Sequence, residues 1–590
     1  MKYAILILVI MTSCKKSLDT KPLDEFSSVN TWNDPALVKA FLNDIYRSIS
    51  NPANGGDGVL KGEFVDELHD QWYSFFNFNN SLLTSDDLAD WDNFHETWDD
   101  LYINIRKCNI LLEKIDGVPV DKITKDGIRG EGLFLRAFFY HQLTSLYGGV
   151  PIVTKSYQLT DSFNVKRNTY PDCIQFISNE LDTAAELLPL VQSGANNGRV
   201  TKGAALALKS RVLLYAASDL HANNNPIFSG YSNPELLGYS EDNRQARWQA
   251  AKDAAKAVID MGVYSLFKGN PGPSDPIVQN LMDIFLVKNT QEDIFVRYFV
   301  ANQRYDGQVN NLPLASGPNG WHLYGEDTPT GEMVDDFEMS DGTRFDWNDP
   351  VKATEPYKNR DPRFYADILY EGMKYKQRPP DVVGLDPLGV IQVGVWQVWN
   401  SATNSMVEVQ GLDTRNSPIE GFNAGYTGYY LRKFIDPAVD GIYFRQDVPW
   451  RYFRYAEILL NYAEACIELN QDAEARIYLN MIRKRAGMPD ITESGTALKI
   501  RYRNERRIEL AFEDHRFYDV RRWLIGIEAY KQFSGVKVLY KLNPDKSTAI
   551  IPTITPYVFQ KCAWLDKAYF FPISRDEMNK NSLLIQNPGY

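Results

Sequence analysis

Arg454-Tyr455-Ala456-Glu457-Ile458-Leu459-Leu460-Asn461-Tyr462-Ala463-Glu464-Ala465 carries its apolar residues at helical spacing. Tyr455, Ile458, Leu459, Tyr462, Ala463, Cys466 and Ile467 fall on one stripe. A short turn at Asn470-Gln471 follows, then a second helical stretch from Asp472 to Ala486. Gly487 and Pro489 stop that stretch, and Arg483, Lys484 and Arg485 occupy its last turn, where cations suit the helix dipole. The pair reads as one helical hairpin.

The same texture fills the first half of the chain. Asp34-Pro35 opens a helix with an N-cap acid and a proline at the first helical position, and Leu37, Phe41, Ile45 and Ile49 follow in register. Spacing predicts further helices over about 94–115, 128–146, 171–188, 201–218 and 244–261. Gly148-Gly149, Pro189 and Gly262 stop three of them. Ala204, Ala205 and Ala207, and Ala250, Ala251, Ala254 and Ala255, are small residues that let helices approach closely, the mark of tetratricopeptide-like pairs. The fold expected is mainly α: such pairs form a superhelical scaffold over about 29–262 and 448–590. A loop-rich, irregular subdomain over about 263–447 interrupts it, dense in Gly, Pro, Asn and Asp. Strand-like runs there lie at 293–300, 390–399 and 426–434. Long loops on a rigid scaffold commonly carry binding function.

At the N-terminus, Lys2 precedes a short apolar run, Tyr3 to Met11, and then Met11-Thr12-Ser13-Cys14. This reads as a signal peptide over 1–13 ending in a lipobox, with Cys14 lipidated and residues 14–28 a flexible tether. The competing reading is an ordinary secretory signal with a coincidental cysteine. No later run reaches 18 apolar residues. The net charge of −13, without a long basic block, argues against nucleic-acid binding. Cys108, Cys173, Cys466 and Cys562 form no CxxC or zinc spacing; the first three fall among apolar residues and read as buried free thiols, with disulfides that sequence cannot pair as the alternative.

Catalytic signatures are lacking. There is no HExxH, GxSxG or GxGxxG, and the Walker-like spacing from Gly198 to Gly203 places Ala204 where the lysine belongs. The six histidines share no metal-ligand spacing on one helix face. Asp335-Asp336 and Asp341 form acidic loops without an EF-hand pattern. No enzyme activity, cofactor or metal is expected, although carboxylates are too many for a glycosidase pair to be excluded by inspection.

The helix at 454–465, together with Leu479-Asn480, Ile482-Arg483 and Arg485-Ala486-Gly487, resembles the SusD/RagB family. So do Arg503-Asn504-Glu505-Arg506-Arg507-Ile508-Glu509-Leu510, His515-Arg516-Phe517, Asp519 to Trp523, Phe571-Pro572-Ile573 and Gln586-Asn587-Pro588-Gly589-Tyr590. Near the start, Arg136-Ala137-Phe138-Phe139-Tyr140 and Tyr147-Gly148-Gly149-Val150-Pro151 fit as well, and Glu513-Asp514-His515 departs from the usual Glu-Gly. The resemblance implies a cell-surface lipoprotein of the outer membrane that captures an oligosaccharide without cleaving it. It would pass the glycan to a SusC-like TonB-dependent transporter. A peptide or another nutrient is the alternative ligand; a lipid-anchored glycoside hydrolase and a pure scaffold are further rivals. Arg503, Glu505, Arg506, Glu509 and Arg516 read as ion pairs that lock repeats together, and Trp98 and Trp523 as core.

A sugar ring offers an apolar C–H face and a hydroxyl rim, so its site needs exposed aromatics beside polar groups. Two segments supply them. One is 66–80, with Asp70, Trp72, Tyr73, Phe75 and Phe76. The other joins Arg297, Tyr298, Asn302, Gln303 and Arg304 to Asn319, Trp321 and Tyr324. The resemblance points to the same two regions. Trp72 and Trp321 are the leading expected stacking residues, with Asp70, Tyr73, Tyr298, Arg304 and Tyr324 around them.

Overall fold

Capping residues mark the helix starts in the computed structural model. It describes residues 31–49, 51–54, 67–68, 84–85, 98–158, 160–161, 164–223, 225–301, 309–325, 328–421, 423–443 and 445–590. Asp34 accepts from Ala36 N at 2.8 Å at the head of α1 (Pro35–Arg47). After α2 (Trp98–Lys114), α3 (Lys122–Tyr147) begins six residues before the 128 that spacing suggests. The reason is Asp121, whose carboxylate accepts from Thr124 N at 2.9 Å. It ends at Gly148, whose φ of +79° and 2.4 Å approach of a would-be Cβ to Leu236 O leave room only for glycine. Thr169 caps α4 (Tyr170–Leu187) and Thr201 caps α5 (Lys202–Ala217); α6 (Arg244–Asp260) follows.

Each of these helices packs on the next, α2 on α3 through α5 on α6. The late hairpin, α12 (Tyr455–Glu468) and α13 (Asp472–Arg485), then docks on α6 and extends the same stack. Arg211 of α5 also ties α12 to the stack, with a two-point pair to Glu457, both contacts 2.7 Å. One apolar cluster runs through the stack from Val38 to Leu584. Cys108, Cys173 and Cys466 are buried free thiols within it; burial pushes the Cys108 thiol up to about 12.

Between the two helical blocks lie α7 (Ile277–Leu286), α8 (Leu312–Ser316), α9 (Gly331–Asp336), α10 (Pro350–Thr354) and α11 (Pro362–Asp367). Beyond α13 come α14 (Gly495–Glu509), α15 (Arg516–Arg522), α16 (Gly526–Ala529) and α17 (Arg575–Lys580). About 45% of the described residues are helical and the strands among them are few and short, as expected of a mainly α, tetratricopeptide-like scaffold with an irregular subdomain. Three two-stranded ladders pair β1 (Glu67–Leu68) with β3 (Thr328–Pro329), β2 (Asp293–Arg297) with β8 (Trp450–Arg454), and β4 (Ile368–Leu369) with β7 (Tyr430–Leu431). A four-stranded sheet orders β10 (Thr553–Lys561), β9 (Gln532–Tyr540), β5 (Val395–Asn400) and β6 (Ser405–Gln410), with β5 and β9 parallel. The strand expected over 426–434 shrinks to β7, because Gly428 and Phe434 both take positive φ. The hairpin β9–β10 falls in 448–590, which the helical spacing had filled with repeats.

A buried ionic layer joins the scaffold to the irregular subdomain. Glu509 accepts from Arg454 and Arg485 and pairs with Arg363, while Glu505 pairs with Arg363 and Arg483. Arg506 meets Asp519 at 2.8 Å, and Arg503 reaches Asp219 at 3.4 Å. These contacts give the family-like charged residues structural duties. Trp98 and Trp523 are buried in the same core cluster. Burial would raise the Glu464 carboxyl, but the Arg522 fork (2.6 and 2.7 Å), with Tyr502 also donating, holds it at about 2. Trp523 Nε1 donates to the same carboxylate at 2.6 Å. A depressed folded-state pKa means this carboxylate contributes in full above its ordinary 4.5 and loses its contribution as pH falls toward 2. Urea midpoints measured from pH 6 to 2.5 are expected to show about 3 kcal/mol of acid-labile stability from this residue, absent in Glu464→Gln. Equal slopes for both proteins would count against it.

Candidate functional site

The loop after α8 is built to hold its backbone fixed. Gly317 admits Leu323, whose Cδ1 would lie 2.2 Å from a Cβ there. Asn319 is buried and its amide donates to Thr414 O (2.9 Å) and Glu420 O (2.8 Å). Gly320 lies under Arg378 and Asp413, 2.3 and 2.4 Å from where a Cβ would stand. Tyr324 N closes the loop on Leu314 O at 2.8 Å.

Trp321 is the anchor of this loop. It is only 3% exposed, its indole N–H donates to Gln377 O at 3.0 Å, and the Arg378 guanidinium lies 3.5 Å from the ring centroid. Tyr375 packs against the ring edge-on. Trp321 therefore offers no open face, which corrects its expected role as a stacking surface. The physical cause is the buried plate above it. Arg378 forks onto Asp413 at 2.7 and 2.8 Å and donates its Nε to Asp386 at 2.9 Å. Burial pushes the Asp413 carboxyl up against the pull of Arg378. Asp386 feels the same burial, yet Arg378 and the amides of Val390 and Leu388 keep it low.

What the anchored loop presents is its next residues. His322 adopts the left-handed conformation (φ +59°). Its ring nitrogens meet Asp381 (Nε2 to Oδ2, 2.9 Å) and Glu420 (Nδ1 to Oε1, 3.3 Å). Asp381 is 65% exposed, and Asn423 donates to the other Glu420 oxygen at 3.1 Å. Tyr324 stays 41% exposed. Tyr426, on the 411–426 segment, is also exposed, with Arg415 stacked 4.2 Å over its ring. An exposed tyrosine thus stands in the same loop as a histidine that two carboxylates hold from other segments of the chain. Nothing in the sequence singles out His322, Asp381 and Glu420 together, since the two partners lie 59 and 98 residues from the histidine.

A short ladder pairs the start of the first predicted segment with the stretch just past the second. Leu68 is the register partner of Thr328, four residues past Tyr324. Asp70, Trp72, Tyr73 and Arg304, like Cys14, lie outside the described residues. Tyr298 is placed elsewhere. It lines a separate recess of about 330 Å³ between α1, the 194–199 turn and β2, and its hydroxyl donates to Asn289 at 2.8 Å. A larger recess of about 600 Å³ lies among Glu332, Asp335, Trp347, Arg507 and Tyr557. Burial lifts Asp335 to about 7 there, although Trp347 Nε1 reaches both its oxygens at 3.0 Å. Among the described residues no three His, Cys, Asp or Glu side chains gather as a metal-holding group, and no helix is long and apolar enough to cross a membrane.

Comparison with known proteins bears on both the scaffold and the loops. The model of the SusD family matches residues 291–590, and a family described as starch-binding associating with outer membrane matches residues 17–214. A SusD-like protein of Formosa agariphila is 23% identical over 579 residues, covering 89% of this chain and 91% of its own. A crystal structure of a SusD-like protein from Bacteroides fragilis superposes with a TM-score of 0.72 at 30% identity, covering 97% of this chain and all of that one. A second structure from that organism, a SusD-like carbohydrate binding protein, gives 0.68 at 22% identity over 94% of this chain and all of its own.

Proposed function

The chain belongs to the SusD family, and on that premise we propose that it is a cell-surface lipoprotein, anchored through Cys14, that captures an oligosaccharide and hands it uncut to a SusC-like TonB-dependent transporter. The observation that carries the glycan reading is the anchored loop. Arg378 and Trp321 spend their contacts on rigidity, so Tyr324 can meet a sugar face without further ordering, which lowers the cost of binding. Asp381, Glu420, Asn423 and His322 supply acceptors and donors for hydroxyls around it. Trp72, Tyr73 and Asp70 would complete the surface from the strand-paired segment, and Arg304 from the loop after Tyr298. A carbohydrate-binding neighbour and the outer-membrane description of the matching family support the reading.

Calorimetry with a panel of oligosaccharides and peptides tests it. Tyr324→Ala and Trp72→Ala are each expected to weaken the best ligand by about 1–3 kcal/mol, the range for losing a well-packed contact residue. Recovered ligand should have its original length. Unchanged affinity in both variants would sink the site, and shortened ligand would favour a hydrolase.

A further inference from the structure

His322 is held by two acids that its own loop does not supply. Its Nε2 lies 2.9 Å from Asp381 Oδ2 and its Nδ1 lies 3.3 Å from Glu420 Oε1. Asp381 belongs to the 379–386 turn, in which Val382 N and Val383 N both donate to Pro379 O. Glu420 belongs to the 411–426 segment, where its carbonyl accepts from Asn319 at 2.8 Å and its second carboxylate oxygen accepts from Asn423 at 3.1 Å. One ring therefore ties three stretches of chain together beside the exposed Tyr324. The backbone of His322 is left-handed, with φ +59°. A residue with a β-carbon enters that region at a cost and stays there only where its surroundings impose it, a pattern that clusters at functional sites.

The number of ring protons decides what this tie can do. An ionised carboxylate only accepts hydrogen bonds, and a neutral imidazole has a single N–H. The neutral ring therefore serves one of the two acids and turns a lone pair toward the other. The imidazolium donates to both. Imidazole is the side chain that ordinarily changes charge between pH 5 and 8. The other charged groups on the segments packed around His322 have duties of their own. Arg378 is locked in the plate with Asp386 and Asp413. Lys376 donates to Val439 O at 3.0 Å, Arg415 to Ala424 O at 2.6 Å and Arg445 to Ile442 O at 2.8 Å. Asp436 and Asp440 accept from the amides of Ala438 and Ile442, both at 2.9 Å. His141, His221 and His515 are buried, and burial holds the first two at about 3 and about 4 and the third below the usual range. His322, 25% exposed, exchanges protons with solvent. On the glycan reading above, we infer that His322 is a positioning residue of that site: its protonated ring clasps the Asp381 and Glu420 segments to the Tyr324 loop, and loss of its proton releases one of them, so that glycan capture weakens as pH rises. The clasped form is the protonated one, so the affinity it contributes is present at low pH and lost at high pH. By linkage, a bound glycan makes the ring hold its proton more tightly.

Calorimetry across pH tests it on the intact protein. The probe is the tightest binder among maltohexaose, laminarihexaose, cellohexaose and xylohexaose, neutral chains that do not titrate themselves. Wild type is expected to lose about threefold in affinity between pH 5.5 and pH 8, the size an exposed ion pair can supply. His322→Gln keeps one donor and one acceptor at every pH, so its affinity should stay flat over that range. Burial lifts Asp335, Asp367 and Glu371 to about 7, but both proteins carry them, so the difference between the two slopes isolates the histidine. Nitrogen-15 spectra of histidine-labelled protein, with the His322 signals assigned by their loss in His322→Gln, should show two ring N–H groups at pH 5.5 and one at pH 8. A flat wild-type profile, an equal slope in His322→Gln, or a His322 ring with a single N–H at pH 5.5 refutes the clasp while glycan binding stands. If none of the four chains binds at any pH, the glycan reading falls and the clasp with it.

Discussion

Arg454→Ala is expected to destabilise the protein by about 3–5 kcal/mol, read as a lower urea midpoint with little change in slope. Arg454 is 2% exposed and meets three carboxylates that are equally buried. Its guanidinium reaches Glu513 (2.5 Å), Glu292 (2.8 Å) and Glu509 (2.7 Å), and also donates to Glu509 O at 2.6 Å. Arg485, Arg363 and Lys433 hold the same acids from other sides. Removing one cation leaves an excess of buried negative charge with no water to solvate it, which is why the loss exceeds that of a surface pair. Arg454→Lys is expected to recover only part, since an ammonium cannot satisfy this spread of acceptors at once. A loss below about 1 kcal/mol for Arg454→Ala would show that the layer is dispensable.

The second large effect is at Trp321. Trp321→Ala is expected to cost about 3–5 kcal/mol, by opening a cavity beneath Arg378. Glycan affinity should fall with it, because the turn that presents His322 and Tyr324 loses its footing. The order of losses separates an anchor from a contact. Thermal unfolding without ligand should already register Trp321→Ala, whereas Tyr324→Ala should leave stability nearly intact and reduce only binding. A Trp321→Ala protein of undiminished stability that no longer binds would mean that the ring touches the ligand after all.

Helices were legible because their signals are local. Asp34-Pro35, Thr201 and Gly148 each act within a turn of their own position, so the stack could be drawn before any long-range contact was known. The buried ionic layer was legible through the family-like run at 503–510. Strands fared worse. The run at 426–434 lost most of its length to two positive-φ residues, and β9–β10 lay hidden in a stretch whose neighbours all read as helix. The fate of Trp321 was beyond local reading, since an aromatic in a Gly- and Asn-rich loop looks exposed until Arg378, Asp386 and Asp413 arrive from other loops. The exposure of Tyr324 was legible because it is an aromatic in that same loop. His322 was not, because its value lies entirely in partners distant along the chain.

The docking of α12 on α6 also bears on how the protein is made. α6 ends at Asp260 and α12 begins only at Tyr455, and until α12 is synthesised the flank of α6 that it packs on stays bare. A growing chain must therefore carry uncovered alanine-rich surface until that point, a state prone to clumping and slow to resolve. Any truncation upstream of 455 should leave insoluble product, and chaperones should cling longest to the bare flank of α6.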